Sequence, residues 1–171
     1  MSNSFKIGDK VIAIFSKSYD WQTSTFSIDT IISIEDDMIE LENVYNRKIQ
    51  YWKCIPWSEK AEILCSKYIG KDIKSICLHI AIPEGSKSNS IEYLRKNHNL
   101  DIDCDSESDN YGEIFYNSDE RSYCGYAENI EDCDGYLDKV IITLIPQYWA
   151  YGEEEKLIKL LLISEVCETP K

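Results

Sequence analysis

Thirteen acidic side chains and a single basic one, Arg121, fall between residues 101 and 138. An unpaired carboxylate costs on the order of several kcal/mol to bury, so most of this segment is confined to the surface of any fold. The rest of the chain holds 17 basic and 18 acidic residues and is close to neutral. Uniform acidity would serve solubility alone, whereas acidity gathered in one segment aims a field at something positive. Within the segment, LDIDCDSESDN carries a carboxylate at every odd position: Asp101, Asp103, Asp105, Glu107 and Asp109. On a strand, residues two apart point to the same side at ~6.6 Å intervals. Placed on a strand, these five would line one face, with Ile102 and Cys104 turned toward the core.

A length of 171 residues allows one large domain or two small ones, and 43% hydrophobic content marks a globular chain. No apolar run approaches the ~20 residues that cross a bilayer. The opening MSNSFKIGDKV lacks the apolar stretch of a secretory signal. The expected address is the cytoplasm of a bacterial host cell, since heavy use of Ile, Lys, Asn, Ser and Tyr fits an AT-rich genome. Seven Cys (54, 65, 77, 104, 124, 133 and 167) are scattered without a CxxC pair, and only His79 and His98 supply imidazole. Paired close spacing is the usual mark of a zinc site, so neither metal nor cofactor is expected.

Short β-branched runs separated by polar turns fill residues 1–57. FKIGDKVIAIF alternates around Val11, Ala13 and Phe15; FSIDTIISI ends in the turn Glu35-Asp36-Asp37; MIELENV and KIQYWKCIPW follow at regular spacing. The order GDKV, then EDDMIELEN, then YWKCIPW resembles an SH3-like barrel, which implies a binding module. Ser58 is placed to cap a helix whose apolar positions are Ala61, Leu64, Cys65 and Tyr68, with Gly70 as its stop. In KSICLHIAIP, Ile76, Leu78, Ile80 and Ile82 share one strand face, and Asn89 or Ser90 caps the short helix IEYLRKN. Residues 112–127 read as a hairpin with its tip at 117–120, and VIITLIPQYW as a strand. The run EKLIKLLLISEV fits a helix through Leu157, Leu160 and Leu161, or a strand through Ile158, Leu160, Leu162 and Val166; pairing with residues 140–149 favours the strand. The expected fold is α+β: an SH3-like small β barrel at 1–57, then a mixed α+β unit at 58–171 with antiparallel hairpins and the acidic segment 101–138.

A row of carboxylates imitates a phosphate backbone in sign and regularity, and basic grooves that bind nucleic acid draw much of their affinity from such contacts. Asp119, Glu120, Glu131, Asp132 and Asp134 would widen the patch, and Tyr19 and Trp21 in the first long loop would add aromatic anchors. The bland alternative is a solvated acidic loop. A calcium loop is a further alternative, since Asp101, Asp103 and Asp105 match its first ligands. Ser106 and Gly112 stand where it needs Gly and Glu. Phosphate-cradling Gly motifs are missing, and Cys77 with His79 reads as strand packing rather than a nucleophile and base. By size, charge and composition the chain resembles virus-encoded acidic inhibitors of host restriction or CRISPR systems. The expected function is non-enzymatic: an acidic protein, with no direct nucleic acid or membrane contact, that blocks the basic surface of a nucleic-acid-binding enzyme such as a nuclease. An immunity protein against a basic toxin nuclease, an SH3-like adaptor and a hydrolase are the other readings.

Overall fold

The computed structural model describes residues 5–16, 21–44, 48–116, 122–130, 137–146 and 153–166. The chain divides into two compact units, Met1–Asp72 with Tyr151–Leu162 and Ile73–Ala150 with Ile163–Lys171. Both are built on antiparallel strands, and the α+β class holds.

The first unit grows outward from β1 (Lys10–Phe15), which pairs on one side with β2 (Thr25–Glu35) and on the other with β5 (Cys54–Pro56). β3 (Met38–Leu41) and β4 (Lys48–Gln50) extend the sheet beyond β2, giving the order β4-β3-β2-β1-β5. Val11, Ala13, Ile31, Ile39, Leu41, Ile49 and Cys54 form its core cluster. Ile12 and its cross-strand partner Ile55 lie on the opposite face and are equally buried, so β1 is covered on both sides. Asp29 is buried within β2, and its carboxylate accepts hydrogen bonds from the backbone N–H groups of Thr30 and Asn43 and from the Asn43 side-chain amide. Those donors offset the cost of burying a charge.

The expected SH3-like barrel is not what forms. The sheet is open: β4 and β5 are its two edges, and no ladder joins them. A barrel requires hydrogen bonds from edge to edge. Here each edge strand has three residues, and β5 ends in Pro56, which has no N–H to donate. A single 3-10 turn, Tyr51–Lys53, carries the chain from one edge to the other.

Helix α1 (Glu59–Tyr68) begins as its sequence dictates. The Ser58 hydroxyl accepts from the Ala61 N–H at 3.1 Å, and Ala61, Leu64, Cys65 and Tyr68 form its buried stripe. The helix stops at Gly70, where φ is +68° and the Ser24 carbonyl lies 2.4 Å from the position of any added Cβ. Residues 154–163, expected to favour a strand, form helix α3 (Glu154–Ile163), which buries Leu157, Ile158, Leu160 and Leu161. Its first residue is anchored, because the Glu154 carboxylate accepts 2.6 Å hydrogen bonds from both Ser16 and Ser24. No helix among the described residues is long and apolar enough to cross a membrane.

Six strands make the second sheet: β6 (Ile76–Ala81), β7 (Leu100–Ile102), β8 (Glu113–Tyr116), β9 (Ser122–Ala127), β10 (Lys139–Leu144) and β11 (Glu165–Val166). Their order is β11-β6-β10-β9-β8-β7. Val140, Ile142 and Leu144 sit opposite Ile80, Leu78 and Ile76, and all six are buried. β11 pairs with β6 rather than with β10. Helix α2 (Ser90–His98) is capped by Asn89, contributes Leu94 to the interior, and leaves through Asn99 at φ +54° into β7. β9 approaches β10 so closely at Gly125 that a Cβ there would stand 2.1 Å from the Thr143 carbonyl oxygen. Gly125→Ala is therefore expected to cost about 1–3 kcal/mol by forcing two paired strands apart. Gly85→Ala, where nothing lies within 4 Å, is expected to change stability by less than about 0.5 kcal/mol. Urea unfolding of the two variants checks the contrast.

Candidate interaction surface

The acidic run does not continue as a strand. β7 ends at Ile102, and residues 103–112 form the loop between β7 and β8. Its base is closed by two backbone hydrogen bonds, from the Asp103 N–H to the Glu113 carbonyl at 2.9 Å and from the Gly112 N–H to the Asp103 carbonyl at 2.8 Å. Inside it, side chains bond to backbone groups two residues ahead: Asp103 accepts from the Asp105 N–H, Asp105 from the Glu107 N–H, and the Ser108 hydroxyl from the Asn110 N–H. Short polar side chains form such turns because their oxygens reach their own backbone at that spacing. The two-residue period of the sequence is thus the period of successive turns, not of a pleat.

Each acidic position then has its own fate. Asp101 is pinned by Arg95, with Nη2 2.8 Å from Oδ1, and also accepts from the Ile102 N–H. Half-buried Asp103 is the knot of the loop, since its second oxygen accepts from the Ser108 hydroxyl at 2.9 Å. Asp105, Glu107 and Asp109 are exposed, and among the described residues none of them forms an ion pair with a basic side chain. Tyr111 lies beside them, 38% exposed, its hydroxyl donating to the Ile130 carbonyl. Elsewhere in the segment, Glu128 accepts from the Thr143 hydroxyl, and the Lys87 ammonium bonds to Asp138 and holds its carboxyl below the ordinary range.

The five carboxylates therefore do not line one strand face. What the fold leaves exposed on one loop is three of them, Asp105, Glu107 and Asp109, with Asp103 holding the loop together. Asp119, Glu120, Glu131, Asp132, Asp134 and Tyr19 lie outside the described residues. Trp21 is buried and its indole N–H donates to the Tyr68 carbonyl at 2.9 Å, which makes it a core residue rather than an exposed anchor. Cys77 and His79 are half-buried on the face of β6 opposite Ile76, Leu78 and Ile80. Among the described residues, no group of three or more His, Cys, Asp or Glu side chains is arranged to hold a metal ion.

Sequence reasoning gave no role to Tyr111, a partly exposed ring of the same loop, although its place directly after the acidic run was a signal. It also missed the burial of Glu154 and Glu155, 4% and 1% exposed, for which a run of three glutamates gives no warning.

Compared with known proteins, the chain matches no family model, no curated protein and no solved structure. The resemblance to virus-encoded inhibitors of restriction or CRISPR systems thus has no homologue behind it and is withdrawn.

Asp103→Ala is expected to lower stability by about 1–3 kcal/mol, because two donors lose a charged acceptor. Asp109→Ala is expected to stay within about 0.5 kcal/mol of the parent. Urea unfolding of both variants separates the member of the loop that holds it together from one it merely displays.

Proposed function

We propose that the protein is a non-enzymatic acidic binding protein whose loop 103–112 engages a basic surface on a partner protein. The observation that carries this reading is the tip itself: three exposed carboxylates without a basic partner among the described residues, on a loop held by its own hydrogen bonds. A pre-ordered loop loses little conformational freedom on binding, so more of its electrostatic attraction appears as affinity. Grouped charges also steer encounter, raising association rates by roughly 10- to 1,000-fold at low salt. Tyr111 supplies a partly exposed ring on the same loop, where an aromatic contact slows dissociation.

A basic surface of this kind is what nucleic-acid-binding enzymes present, and three close carboxylates compete there with phosphate oxygens. The partner class is accordingly a basic protein such as a nuclease, with the acidic tip occupying part of the groove its nucleic acid would use.

A tagged copy offered a set of basic nucleic-acid-binding proteins at low salt is expected to retain one that nucleic acid then displaces. Replacing Asp105, Glu107 and Asp109 together by their amides is expected to slow association by about tenfold or more at low salt and to flatten the salt dependence. Amide replacement of Asp36, Asp37 and Glu59, which removes the same net charge from exposed positions of the first unit, is expected to have a much smaller effect. Equal effects of the two triple variants would overturn the assignment to the loop.

A further inference from the structure

The N-terminal turn of α3 buries two adjacent carboxyl groups that the binding loop does not use. Glu154, 4% exposed, has a hydroxyl donor on each oxygen, Ser16 on Oε2 and Ser24 on Oε1. Glu155 is 1% exposed and has nothing comparable. Among the described residues it forms no ion pair, and no side-chain donor is directed at its carboxyl.

We propose that Glu155 makes the seating of α3 on the first unit depend on a proton, firm when the carboxyl is neutral and looser when it is charged. On α3 itself the charges that reach Glu155 are Lys156 and Lys159, which favour the anion, and Glu154, which opposes it. On β5, burial pushes the Cys54 thiol up to about 12, so it adds no anion within reach of Lys159. α1 sends Lys60 to the far end of α3, where its ammonium donates to the Leu162 carbonyl at 2.7 Å. β1 is followed by Ser16 and β2 is preceded by Ser24, both hydroxyls being directed at Glu154. Desolvation therefore prevails over the lysines, and the Glu155 carboxyl is pushed up to about 7.

A carboxyl whose proton is held more tightly in the folded chain stabilises it most at low pH. That contribution disappears as pH rises from the unfolded value toward and through the folded one. For a group moving between 4.5 and about 7, the opening constant of α3 rises about tenfold from pH 6 to pH 8.

Native-state hydrogen exchange, expressed as protection factors so that the chemical rate divides out, reads this directly at the amides of Ile158 and Leu161. About a tenfold loss of protection between pH 6 and pH 8, abolished in Glu155→Gln, is the expected result. Protection unchanged in the parent, or a tenfold loss that persists in Glu155→Gln, would overturn it. If the variant does not fold, titration of the Glu155 carboxyl carbon resonance in the unaltered protein decides: a midpoint near 7 sustains the inference and one near 4.5 ends it.

Discussion

Buried and half-buried acids govern this structure, and the donors the fold assigns to them determine its local geometry. A carboxylate withdrawn from water needs hydrogen bonds or a counter-charge. Asp29 finds them in the backbone and side chain of Asn43, fixing the end of β3 against β2. Glu154 takes the hydroxyls of Ser16 and Ser24, and so ties the start of α3 to the two ends of the segment between β1 and β2. Asp103 draws an eight-residue excursion closed upon itself. In each case the acid is an organiser of backbone, not a surface ornament.

The same logic separates structural from displayed charge in the acidic segment. Asp101, Asp103, Glu128 and Asp138 are engaged by Arg95, the loop backbone, Thr143 and Lys87. Asp105, Glu107 and Asp109 stay exposed on the loop, Asp105 while accepting from the Glu107 N–H. Concentration of charge along a sequence overstates concentration in space, because some of those groups are consumed in building the platform that carries the others.

Local chemistry was legible and distant pairing was not. The Ser58 cap, the stripe Ala61, Leu64, Cys65 and Tyr68, and the buried face Ile76, Leu78, Ile80 and Ile82 all stand where spacing put them. Those features need only neighbours within a turn or a pleat. α3 was ambiguous because Leu157, Leu160 and Leu161 fit a helix while Ile158, Leu160, Leu162 and Val166 fit a strand. The serines that hold its first turn lie 138 and 130 positions away. Closure of the first sheet was overread for a related reason, since edge-to-edge pairing is a property no single strand carries. The acidic row was misassigned because a two-residue spacing serves both a strand and a chain of side-chain turns, and Asp and Ser favour the latter.

The discontinuity of the first unit has a consequence for how the protein comes into being. Its last stretch, Tyr151–Leu162, emerges from the ribosome only after Ile73–Ala150 has been made. During synthesis the early sheet must therefore wait for the helix that supplies the acceptor for Ser16 and Ser24, while the intervening strands are already free to pair. Contacts spanning so much chain form slowly, and apolar surface left uncovered in the interval is prone to aggregate. Completion of the first unit is thus postponed until residues 151–162 have been made.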